Sequence, residues 1–161
     1  MLYLAIAAYA VAMTIANLLA SKFGPAITPV NSFVLIGLDL ALRDWLHVRL
    51  KTWQMGALIA ATGLLTYTLN PAAGMIAVAS AAAFTAAAVV DWSVFAKVKG
   101  GWLKRANVSN VAGATVDSLV FPTIAFGALM PHIVAMQFAA KVAGGTLWTF
   151  VLSSKSTTAK A

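Results

Sequence analysis

The chain has 161 residues, 61% of them hydrophobic and 9% charged, with a mean hydropathy of +0.89 and a formal net charge of +7. An ordinary soluble domain is about 45–50% apolar and about 25% charged, and a small one must leave much of its surface in water, so a soluble fold is excluded; so is disorder, which goes with few large apolar residues. An integral membrane protein remains, and six helices of about 20 residues each would use about 120 residues, leaving no separate soluble domain.

Apolar runs broken by Gly, Pro and charge predict the spans. The first covers about Leu2–Ser21 and ends at Lys22-Phe23-Gly24-Pro25. It lacks a basic leader region, so it reads as a retained helix. The second, about Val30–Leu46, is the most polar. The third, about Trp53–Leu69, stops at Asn70-Pro71. The fourth covers about Ala72–Phe95. After the basic stretch Lys97–Arg105 comes the fifth, about Ala106–Leu129, with a kink expected at Pro122. The sixth covers about His132–Leu152. One transmembrane domain, residues 1–152, and a polar cytoplasmic tail, 153–161, are expected. The short turns between spans three and four, and between five and six, require antiparallel hairpins.

Charge orients the bundle. Arg43, Arg49, Lys51, Lys97, Lys99, Lys104, Arg105, Lys155 and Lys160 all fall on one side if both termini are cytoplasmic; Lys22 alone falls on the other. Trp45, Trp53, Trp92 and Trp102 gather at the same cytoplasmic edge, as an aromatic belt does. Small residues recur every fourth position at Ala8-Ala12-Ala16-Ala20 and Ala79-Ala83-Ala87. Such stripes allow close helix packing, within this bundle or against another membrane subunit or a second copy.

Three ionisable residues stand where a membrane helix should be apolar. At ~1.5 Å per residue, Asp39, Asp117 and Lys141 lie roughly 13, 16 and 14 Å into their spans, near the middle of a core about 30 Å thick. Each costs at least ~2.5–3.5 kcal/mol there on insertion scales. A buried ion network is one explanation, since Lys141 can pair with either Asp and Arg43 follows Asp39 at i+4. Neutral polar groups on the same faces favour a second. Asn107, Asn110, Asp117 and Phe121 follow helical spacing on span five, and Gln137, Lys141, Gly144 and Trp148 on span six. Placed polar groups in an apolar cleft are how a site for a small polar heterocycle is built. A carboxylate accepts two N–H bonds from an amidine-like edge, Asn or Gln satisfies a carbonyl and a ring nitrogen, and Trp or Phe stacks on the ring. Asn17 is a weaker pocket candidate. Asp44 and His47 read as a surface or gating pair, and Asp91 as a salt-bridge partner of a loop Lys.

No enzyme is expected: there is no glutamate, no His-Glu-x-x-His motif, and only His47 and His132, near opposite faces. No cofactor is expected either. The lack of cysteine excludes thiolate metal sites, no nucleotide-binding loop is present, and the positive charge reads as topology rather than as nucleic-acid binding.

Several stretches carry a resemblance: Ala16-Asn17-Leu18-Leu19-Ala20-Ser21-Lys22, Gly37-Leu38-Asp39-Leu40-Ala41-Leu42-Arg43-Asp44, Arg105-Ala106-Asn107-Val108-Ser109-Asn110, Val116-Asp117-Ser118-Leu119-Val120-Phe121, Ala125-Phe126-Gly127 and the Lys141 helix. Together they resemble the VUT (vitamin-uptake-transporter-like) family, which includes the queuosine-precursor transporters. The resemblance implies a six-helix protein of the prokaryotic inner membrane that takes up 7-deazaguanines such as preQ0 and preQ1, with Asn17, Asp39, Arg43, Asn107, Ser109, Asn110, Asp117 and Ser118 at motif positions. The chain departs from the queuosine-precursor members: they are longer, and an acidic residue follows their span-two Asp where this chain has Ala41-Leu42-Arg43. The family also resembles the substrate-binding components of energy-coupling-factor transporters, which dock through small-residue stripes on their first helix.

The expected protein is therefore an all-α, multi-pass six-helix bundle, compatible with a 3+3 inverted repeat. It imports a purine-like base through Asp117, Asp39, Asn107, Asn110, Lys141, Asn17, Ser118, Phe121, Trp148 and Arg43. A binding subunit that needs an energising partner and a structural or pore-forming protein are the alternatives, and the expected partners are the bilayer and a second copy or an energising subunit.

Overall fold

The computed structural model describes the backbone of residues 1–47 and 49–158, and side chains up to Val151 except those of Asp44, His47, Val48, Thr52 and Trp102. The readings of Asp44 with His47, of Trp102 in the belt, and of Lys155 and Lys160 in the tail lie outside the described residues or side chains. All regular structure among the described residues is helical.

Helix α1 spans Leu2–Phe23. A continuous rod follows in four pieces: a 3-10 turn Gly24–Ile27, α2 Thr28–Asn31, a π-helical stretch Ser32–Ile36, and α3 Gly37–His47. Pro25 and Pro29 each stand in the first turn of their piece, where a missing N–H costs nothing. The Thr28 hydroxyl donates to the Pro25 carbonyl at 2.7 Å. Helix α4 covers Thr52–Leu69, α5 Gly74–Lys97, α6 Trp102–Phe126 and α7 Pro131–Thr158.

Several boundaries differ from the expected ones. The rod containing Asp39 begins well before Val30, because the Gly-Pro segment stays helical in shorter pieces. Helix α6 starts four residues before Ala106 and runs through Pro122 without ending. It stops instead at Gly127, whose φ of +69° is the left-handed turn that terminates helices. Helix α7 runs to Thr158, so most of the expected tail is helical.

The six rods form a closed ring of packed neighbours: α1 against α3, α3 against α7, α7 against α6, α6 against α5, α5 against α4, and α4 back against α1. The segments Leu2–Arg43 and Pro71–Lys97 are long and apolar enough to cross a membrane. Burial is inverted relative to a soluble protein. Ile15, Leu64, Val78, Val89, Leu147 and Phe150 face outward, while Asn17, Asp39, Arg43, Asn110, Gln137 and Lys141 are buried. The alanine stripes face inward too, with Ala12, Ala16, Ala20, Ala79, Ala83 and Ala87 all buried. Ala8, at the start of the first stripe, is only half-buried.

One crossing positions everything that follows. A Cβ on Gly37 would lie 2.7 Å from the backbone carbon of Gly144, and a Cβ on Gly144 would strike the Phe33 carbonyl. Only glycine at both places lets the rod's backbone rest directly on α7. That contact brings Asp39 and Arg43, just beyond Gly37, beside Lys141, one turn before Gly144.

Candidate functional site

A cavity opens between α1, the α2–α3 rod, α5, α6 and α7. Its lining includes Asn17, Asn31, Ser32, Asp39, Arg43, Phe84, Asp117, Phe121, Gln137 and Lys141. It offers about 40 Å³ to the centres of water-sized molecules, room for about three waters at about 10–15 Å³ each.

Lys141, only 2% exposed, is the centre of a saturated network. Its Nζ lies 2.5 Å from Asp117 Oδ2 and donates to Gln137 Oε1 at 2.9 Å and to Ser118 Oγ at 3.2 Å. Three acceptors match the three donors of an ammonium group. Gln137, one helical turn earlier on α7, extends the network. Its Nε2 donates to Thr28 Oγ1 at 2.8 Å, and Thr28 donates onward to Pro25. The chain of bonds thus ties α6 and α7 to the start of the second rod. On the opposite wall, Asn31 donates to the Ala16 carbonyl at 3.1 Å and Asn17 donates to Thr66 Oγ1 at 3.4 Å.

The second acidic position is built differently. Asp39 is 2% exposed and its Oδ1 has no hydrogen-bond partner. Arg43, one turn on, lies over the Phe84 ring at 5.0 Å and reaches across to Asp91 Oδ2 on α5 at 4.0 Å. Asp91 therefore faces an arginine inside the bundle and not a loop lysine. Gly113 gives this contact its space: a Cβ there would sit 3.3 Å from Asp91 and 3.6 Å from Arg43. Behind Arg43 and Phe84 an apolar groove opens between α4 and α5, lined also by Met55, Ile59 and Trp92.

Six of the ten residues expected to carry the base line this one cavity, Asn17, Asp39, Arg43, Asp117, Phe121 and Lys141, and Gln137 from the polar face of span six joins them. Ser118 touches it through Lys141. Asn107, Asn110 and Trp148 are not in the lining. Asn107 accepts a bond from Thr146 at 3.1 Å and donates to the Leu103 carbonyl at 2.9 Å, joining α6 to α7. It shares a helical face with Asp117 but lies ten residues, roughly 15 Å, along the axis from it. Asn110 is buried with neither side-chain polar atom partnered. Trp148 lies beyond the Gly144 crossing, where the rod's backbone occupies the α7 face. Sequence reasoning passed over Thr28, Asn31 and Ser32, which the Gly-Pro segment turns inward.

Comparison with curated proteins and with solved structures returns no match. Residues 2–153 match the sequence profile of the family described as "Putative vitamin uptake transporter". With its apolar outer helices and polar interior, this is a membrane protein, and the chain belongs to the vitamin uptake transporter family.

Proposed function

We propose that the protein is a multi-pass importer of a small purine-like base, a 7-deazaguanine of the queuosine-precursor type, in the prokaryotic inner membrane. Six helices span the bilayer, and both termini lie on the cytoplasmic side. One observation carries the reading: two carboxylates, Asp39 and Asp117, line one small polar cavity, and Lys141 is bonded to only one of them. A structural ion pair accounts for one acid and one amine. It leaves the second acid in place at a depth where a charge costs about 2.5–3.5 kcal/mol or more.

Asp117 is held by Lys141 beside the cavity and accepts the N–H edge of the base. Asn17 and Asn31 offer amide groups from the facing wall, and Phe84 or Phe121 stacks on the ring. Seating a bicyclic base requires the walls to spread, because the cavity as built has room for about three waters. Ala12, Ala16 and Ala20 of the alanine stripe on α1 are buried inside the chain, which supports a transporter that works without an energising subunit.

The test is uptake by Asp117→Asn. Uptake of labelled preQ0 or preQ1 falls to background while the variant still inserts and elutes as a single species in detergent. Uptake at the wild-type rate rejects the assignment. Purified wild-type protein alone in liposomes moves the base; a requirement for an ATPase would reject the single-component reading.

A further inference from the structure

Among the described residues the interior charge cluster holds three acids, buried Asp39 and Asp91 and half-buried Asp117, and two buried cations, Arg43 and Lys141. Lys141 is saturated by Asp117, Ser118 and Gln137, and Arg43 leans toward Asp91. One negative charge is left over. Asp39 Oδ1 and Asp91 Oδ1 both lack a hydrogen-bond partner, and of the two only Asp39 lines the cavity, so the charge that a guest or a proton can reach is that of Asp39. The titratable and charged groups around Asp39 are Tyr9 on α1, Arg43 on its own helix, Asp117 on α6 and Lys141 on α7, with Asp91 on α5 behind Arg43. The Tyr9 side chain is fully buried beside it.

We propose that Asp39 is the proton-carrying group of this transporter, binding one proton together with a neutral base and releasing it to the cytoplasm. This rests on the base-uptake reading. The proton comes from outside water and converts the carboxylate to a carboxylic acid; it returns to water on the inner side, and no other bond forms or breaks. With that proton bound, two ionised acids face two cations and the cluster is neutral.

The substrate chemistry agrees. A guanine-like free base has one donor–donor edge, the N1–H with the exocyclic amine, which suits an ionised carboxylate. It has a second, donor–acceptor edge, the N9–H with N3, which suits a carboxylic acid that both donates and accepts. Asp117, paired with its lysine, serves the first edge, and protonated Asp39 serves the second. The same pairing rejects nucleosides, in which N9 carries a sugar.

The test uses the full purified chain in liposomes with 7-cyano-7-deazaguanine, a neutral base. Labelled base exchanges with unlabelled base in the absence of any gradient. An acid-outside gradient drives accumulation above the equilibrium level, a protonophore abolishes it, and a sodium gradient does not replace it. Affinity weakens tenfold per pH unit on the alkaline side, the slope for one linked proton. Asp91→Asn keeps that slope, and Asp39→Asn loses it. Should Asp39→Asn not fold, the Asp91→Asn slope and the gradient experiment still decide. Exchange with a pH-independent affinity, accumulation driven by sodium, or a slope lost in Asp91→Asn overturns the proton role and leaves base uptake standing. Absence of any exchange removes both.

Discussion

The cavity has two charged walls, and they are finished to different standards. On the α6–α7 side, Lys141 has an acceptor for every donor, and its bonds continue through Gln137 to Thr28. On the α3–α5 side, Arg43 and Asp91 stand 4.0 Å apart, and Asp39 Oδ1 and Asp91 Oδ1 have no partners. A buried ion pair is stable only when its remaining polar atoms are also satisfied. The first wall meets that condition and acts as a frame. The second does not, and Asp39, its unsatisfied acid that lines the cavity, is where a guest or a proton finds something to bind.

Breaking the finished wall should have the largest effect. Lys141→Met leaves half-buried Asp117 without its cation and should destabilise the protein by about 3 kcal/mol, read from denaturant unfolding in mild detergent. The double variant Lys141→Met/Asp117→Asn should recover most of that loss; if it does not, Lys141 matters for something other than its pair. Next comes the joint that aligns the walls. Gly144→Val drives a side chain into the Phe33 carbonyl and should cost about 1–3 kcal/mol, visible as a lower melting temperature, whereas a value unchanged from wild type would mean that the rod and α7 do not touch there. The loose wall should respond less. Asp91→Asn removes a contact that is already long and should cost about 1 kcal/mol; a loss matching that of Lys141→Met would erase the distinction between the walls. Asn110→Leu should be smallest, within about 0.5 kcal/mol of wild type in either direction, because neither of its polar atoms has a bond to lose.

The residues that line the cavity were legible to different degrees, for physical reasons. Asp39, Asp117 and Lys141 announce themselves because an ionisable side chain in a long apolar run needs a compensating partner. Helical rise alone put the three at similar depth. Helical phase was a weaker guide: Asn107 shares a face with Asp117, yet a cavity samples only a turn or two of any helix. The choice of partners was not legible. Lys141 could have taken either Asp, and Arg43 was expected at Asp39, its i+4 neighbour, while its guanidinium also extends to Asp91 on another helix. Such pairings depend on Gly113, Gly37 and Gly144, whose importance appears only once two backbones are seen to approach. The segment 24–36 was the least readable. Two prolines and a glycine suppress the 3.6-residue signal, and nothing in the sequence marks a π-helical stretch that rotates Ser32 inward.

The bare-backbone crossing of Gly37 over Gly144 has a mechanical side. Where side chains interlock, helices can turn only by lifting knobs out of holes. Here main chain rests on main chain, so the joint fixes a separation but resists swivelling weakly. Lys141 sits just before this bearing and Asp39 just after it. A small pivot therefore changes the gap between the amine and the second acid while every helix keeps its neighbours.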